Sequence, residues 1–195
     1  MTTTVSPWVA RWAPFAAEGK VLDLACGMGR HARHFAALGH PVLAVDRDAT
    51  ALIHAAGEGI VTLHADLEGN DDATARQLAV LLRPQQFAAI VVTNYLHRPL
   101  MAALLASLRD DGMLVYETFA VGNELFGKPS NPAFLLAEGE LLALAKGAGL
   151  RIVAFEEAHV GTAKPAVIQR ICAVGPAFQL ANVKLDVSSG VSSQE

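Results

Sequence analysis

Val21-Leu22-Asp23-Leu24-Ala25-Cys26-Gly27-Met28-Gly29-Arg30 is the stretch on which the reading of this chain turns. The apolar run Val21–Cys26, with one carboxylate inside it, reads as a strand. It runs into a turn of small residues, and helix-compatible sequence follows from Arg30 to Leu38. Strand, tight turn and helix start together let a ligand approach free backbone N–H groups. A charged residue in a central strand is costly without a partner. Asp23 is therefore expected at the carboxyl end of the strand, facing a ligand.

Outward from that turn the chain alternates. Upstream, Ser6-Pro7 reads as a helix start, with Ser6 as cap and Pro7 in the first turn. Trp8 and Trp12, four apart, share a face and seal that helix onto a sheet, although Trp8 or Arg11 could instead roof a ligand at the turn. Downstream, the helix from Arg30 turns Phe35 and Leu38 inward and ends at Gly39. Strands are expected at Val42–Val45, Ile60–Leu63, Phe87–Val92 and Met113–Thr118. Helices are expected at Ala49–Ala56, capped by Asp48, and at Ala73–Leu82, Pro99–Leu108 and Glu138–Ala148. Asp110-Asp111-Gly112 reads as a turn. Phe119–Pro132 is a loop long enough to act as a lid. Ile152–Phe155 and Ala166–Val174 close the pattern as a hairpin. The fold class is thus α/β: a doubly wound, mostly parallel seven-stranded sheet with helices on both faces and an antiparallel strand near the carboxyl terminus. One domain is expected over 1–175, with 1–19 as an amino-terminal helical segment and 176–195 as a flexible tail.

The composition narrows the functions open to such a domain. Its 195 residues suit one core, and 52% hydrophobic with 17% charged residues favours folding over disorder. Fifteen Lys and Arg against nineteen Asp and Glu give a net charge of −4 without a basic cluster, which argues against nucleic acid. Two cysteines, Cys26 and Cys172, are too few for a disulfide framework and read as buried thiols. Uncharged runs are too short to span a bilayer, and the amino terminus lacks a signal-peptide layout, so a cytoplasmic protein is expected. No metal-ligand spacing stands out, and oligomeric state is not legible.

Three successive strands end in a carboxylate: Asp23, Asp46 and Asp66. In an open α/β sheet these ends form the ligand crevice. Three carboxylates repel a phosphate but suit a ligand with an ammonium, ribose hydroxyls and an amino-bearing ring, the groups of S-adenosylmethionine. The segment from Val21 to His31 resembles the first motif of the class I S-adenosylmethionine-dependent methyltransferases. The likeness continues through Val45-Asp46 and Ala65-Asp66-Leu67, spans roughly Trp8 to Val174, and is nearest to small bacterial enzymes of the tellurite-resistance type. It implies that Asp23 and the turn Ala25, Cys26, Gly27 and Gly29 hold the methionine portion, with Arg30 near its carboxylate. It further implies Asp46, with Arg47 beside it, at the ribose, Asp66 and Leu67 at the adenine, and Asn94 as floor. Ala25 departs from the family, which often carries glycine there.

Residues at the ends of the fourth and fifth strands would face a methyl acceptor: Asn94, Tyr95, His97, Glu117 and Phe119. His97 is a candidate base or a helix-start residue, Tyr95 a candidate to orient substrate or close the pocket, and Glu117 needs a local Arg or Lys if buried. His31 and His34 read as surface or packing residues. The acceptor motif of nucleic-acid amino-methylating enzymes is absent. Gly27-Met28-Gly29-Arg30-His31-Ala32 also fits the loose dinucleotide pattern, which leaves an NAD(P)-dependent oxidoreductase as the rival reading. A non-catalytic S-adenosylmethionine-binding regulator is the third.

Overall fold

The apolar runs assemble into one sheet. In the structure, a computed structural model, residues 4–161 and 164–184 are described. The strands are β1 (Val21–Leu24), β2 (Val42–Asp46), β3 (Ile60–His64), β4 (Phe87–Thr93), β5 (Leu108–Phe119), β6 (Arg151–Val160) and β7 (Ala166–Val174). Their order is β3-β2-β1-β4-β5-β7-β6. β1 to β5 pair in parallel, while β7 is antiparallel to both β5 and β6. The closing hairpin is therefore present, and its second strand is inserted between β5 and β6. Chain order reverses between β1 and β4, which makes their carboxyl ends the switch point of the sheet.

Alternate strand residues build two cores. On one face, Val21, Ala44, Val91 and Val115 pack with α1 (Pro7–Trp12), α2 (Arg30–Ala37) and α3 (Ala49–Ala55). On the other, Leu22, Val45, Ile90 and Leu114 pack with α4 (Asp72–Leu81), α5 (Met101–Ala106) and α6 (Glu140–Gly147). Both tryptophans are buried and meet edge to face at 5.7 Å, so they seal α1 onto the sheet. Trp8 donates its indole N–H to the Ile171 carbonyl of β7, which excludes it as a roof. Ser6 caps α1 and Asp48 caps α3, as their side-chain chemistry dictates.

Some boundaries differ from expectation. Leu38 lies at the end of α2 and is exposed, whereas Phe35 is fully buried. The stretch Asp110–Gly112 is not a free turn before β5 but a bulge within it: pairing jumps from Phe87–Leu108 to Ala89–Met113. The bulge is fixed by backbone bonds from Gly175 to Gly112 and from Ala177 to Asp110, at 2.9 and 2.8 Å. Those bonds also tie down the start of the segment expected to be a tail. Phe178 and Val183 pack against the α1–α3 core, and residues 185–195 lie outside the described residues.

Candidate functional site

The Ala25–Gly29 turn joins β1 to α2 at the switch point. Gly29 has φ 73°, and a Cβ there would lie 2.6 Å from that of Ala55, so only glycine lets α2 and α3 approach this closely. Ala25 takes φ 53°, the left-handed region that glycine serves best. The turn is held from the side by Asp46. One of its carboxylate oxygens accepts the Gly27 N–H at 2.7 Å and the other the Asp48 N–H at 2.9 Å. Asp23 is 1% exposed and accepts the Ala32 N–H at 2.8 Å. It faces the first turn of α2 rather than open solvent. Burial lifts its carboxyl to about 7, against the partial relief of that N–H and of nearby Arg30.

Beside the turn is a cavity of about 140 Å³ lined by Ala25, Asp46, Arg47, Asp66, Leu67, Glu68 and Tyr95. Five of the residues that sequence placed with an adenosyl ligand thus meet around one space. Asp66 accepts the Glu68 N–H at 3.0 Å, which turns the chain end of β3 around the cavity. Glu68 is an addition, since nothing in its spacing marked it. The volume is below the ~300–1,000 Å³ of whole-ligand pockets and matches one end of a larger ligand. A wider space of about 840 Å³ lies between α5 and α6, lined by such residues as Met101, Leu105 and Leu144, and contains none of the expected ligand residues.

Other expected residues lie elsewhere. Asn94 is exposed on a left-handed bend after β4, its N–H donated to the Glu117 carbonyl. His97 begins the single 3-10 turn Arg98–Leu100, its carbonyl accepting from Leu100, in keeping with the helix-start reading. Glu117 meets Arg170 at 3.5 Å and accepts the Ser6 hydroxyl at 3.0 Å, so it has the cationic partner expected of it. Arg30 donates to the Thr4 carbonyl at 3.2 Å. His31 is buried: its Nε2 accepts the Ser6 N–H, which leaves the Nδ1 proton for Thr93, and burial holds it neutral with a pKa near 3. Burial pushes the Cys172 thiol up to about 12 and the Cys26 thiol higher still, so neither is a ready nucleophile. Among the described residues no group of three metal-ligating side chains occurs, and no helix is long and apolar enough to cross a membrane.

This fold, a seven-stranded sheet with one antiparallel strand near its carboxyl end, is that of the S-adenosylmethionine-dependent methyltransferases, as solved structures show. A crystal structure of TehB from Haemophilus influenzae superposes with a TM-score of 0.71 at 18% identity, over 89% of this chain and 63% of that one. The chain thus spans less than two thirds of that relative. A TehB-like S-adenosylmethionine-dependent methyltransferase from Corynebacterium glutamicum gives a TM-score of 0.59 at 20% identity, over 86% of each chain. The Burkholderia thailandensis 1,6-didemethyltoxoflavin-N1-methyltransferase, solved with that compound and S-adenosylhomocysteine, gives 0.60 at 21%, over 86% of this chain and 76% of the other. In sequence, residues 2–80 match the family model of the tellurite resistance protein TehB, the part that carries the Gly turn, Asp46 and Asp66. No curated protein sequence matches the chain.

Proposed function

We propose that the chain is a cytoplasmic S-adenosylmethionine-dependent methyltransferase that transfers a methyl group in line to a small molecule. The observation that carries this reading is the convergence of Ala25, Asp46, Arg47, Asp66 and Leu67 on one cavity beside the Gly turn. When bound, the cofactor supplies a sulfonium methyl group. The residues of the chain bind and orient. Asp46 and Asp66 are acceptors suited to ribose hydroxyls and an adenine amino group, and Leu67 and Ala25 give apolar walls. The family resemblance gives Asp23 and the backbone of the turn to the amino-acid end and Asn94 to the floor, although Asp23 is buried against α2 and Asn94 is exposed outside the cavity lining. The main task left to the protein is alignment of the nucleophile and exclusion of water. His97 is retained as a candidate base for an acceptor that arrives protonated. A small-molecule acceptor accords with the compound acted on by the Burkholderia relative and with the absence of a basic patch.

The same geometry weighs against a dinucleotide. The Gly27 N–H that a pyrophosphate would use is taken by the Asp46 carboxylate, which also places negative charge where phosphates would sit. Calorimetric titration with S-adenosylmethionine is expected to show binding that Asp46→Ala weakens at least ~10-fold, since both a ligand contact and the tether of the turn are lost. NADH fluorescence should not respond. Unchanged affinity in the variant, or NADH binding in place of the methyl donor, contradicts the reading. Turnover of a labelled methyl group on a panel of small acceptors separates the enzyme from a regulator that only binds.

A further inference from the structure

One polar atom beside the cavity is left without a bond. Tyr95 follows Asn94, whose left-handed backbone, φ 56°, turns the chain at the end of β4. Its ring packs partly buried against the α4–α6 core. Its carbonyl accepts the Tyr116 hydroxyl at 2.7 Å, which fixes the backbone. Its own hydroxyl is buried and has no hydrogen-bond partner among the described residues. Burial, reinforced by the carboxylates of Glu68, Asp66 and Asp46, keeps the phenol neutral well above its ordinary range. These same residues line the cavity. A buried hydroxyl that makes no bond is costly to the fold, and phenylalanine would fill the same space without that cost.

The lining explains what such a group could serve. Asp46, Asp66 and Glu68 only accept hydrogen bonds when ionised, so they match the hydroxyls and amino group of a nucleoside but not its ring nitrogens. Those nitrogens need a donor. Arg47 and the Tyr95 hydroxyl are the side-chain donors of the cavity, and the phenol is the one without charge. We propose that Tyr95 is a cofactor-positioning residue whose hydroxyl donates to the purine of the adenosyl ligand, and that it does not act on the methyl acceptor. This rests on the methyl-donor reading above and refines it: the small cavity is the seat of the purine, and its selectivity depends on one neutral donor among three carboxylates.

The test is Tyr95→Phe, titrated calorimetrically with two ligands, S-adenosylhomocysteine and 5′-methylthioadenosine. The second shares the adenosine end and lacks the amino-acid end. The expected result is the same loss for both, about 5–10-fold. The free variant should melt no lower than the parent. Loss with S-adenosylhomocysteine alone places the hydroxyl at the amino-acid end and overturns the proposal. Unchanged affinities for both ligands show that the hydroxyl makes no bond to the adenosine end, which also overturns it. Unmodified protein that binds neither ligand defeats the methyl-donor reading itself, a result distinct from either of these.

Discussion

Ala25 carries a methyl group in a backbone conformation that opposes one. At φ 53° an L-residue pays roughly 1–2 kcal/mol that glycine does not. Ala25→Gly is therefore expected to stabilise the fold by about 1 kcal/mol after the extra freedom of the unfolded chain is subtracted, a rise in Tm of roughly 2–4 °C. A melt by circular dichroism checks this; a lower Tm would mean that the methyl packing outweighs the strain. Asp23 and His31 make opposite contributions to the pH profile. A carboxyl raised from 3.8 to about 7 stabilises fully below pH 3.8, and this is lost as pH climbs through about 7. Asp23→Asn should thus raise Tm at pH 8 and lose its advantage by pH 4. His31, lowered from 6.5 to about 3, stabilises fully above pH 6.5 and progressively less as pH falls toward 3. His31→Gln, which can keep the bonds to Ser6 and Thr93, should flatten the acid limb of the same melting profile. Sequence marked Asp23 by its misfit in an apolar run. Nothing marked His31, because burial of a helix residue depends on α1 folding across it from far away in the chain.

Between β5 and α6, the segment expected as a lid is tied down rather than loose. Ala120 bridges to Leu136, and buried Asn123 donates to the Pro129 carbonyl while accepting the Val167 N–H. Gln169, fully buried on β7, donates to the Ala137 carbonyl and accepts the Leu141 N–H. From the other side Arg98 donates to the Ala133 and Leu135 carbonyls and pairs with Glu140. Asn123→Ala leaves the Val167 N–H and Pro129 carbonyl without their partner and should cost about 1–3 kcal/mol by denaturant titration. Faster hydrogen exchange should appear in 120–136 before the sheet. A uniform loss across the sheet would show that the segment is not a separate unit. Loop length and the Gly, Pro and Asn residues announced an irregular segment here. Its anchors were not legible, since Arg98 and Gln169 reach it from distant parts of the chain and Asn123 is fixed by Val167 of β7.

At the scale of the molecule, the alternation of β-branched runs with helical stretches made the doubly wound sheet readable, and five of the seven strands lie within two residues of their expected bounds, whereas β5 begins five residues early and β6 ends five residues late. β7 as an insertion between β5 and β6 was not readable, because a hairpin signal says that two strands pair and not which of them joins the sheet. The bulge at Asp110–Gly112 was likewise hidden, being fixed by Gly175 and Ala177. The carboxylates at the ends of β1 to β3 were more legible than the surroundings of β4 and β5. Carboxylates that end three adjacent strands are a pattern in sequence, whereas the surroundings of Glu117 depend on Ser6 and Arg170 at opposite ends of the chain. The most direct measurement is a crystal structure with S-adenosylhomocysteine. The adenosine should occupy the cavity between Ala25, Asp46, Asp66 and Leu67, with the amino-acid end along the Gly turn. A turn that stays empty with that ligand and accepts the pyrophosphate of a dinucleotide instead would contradict the account.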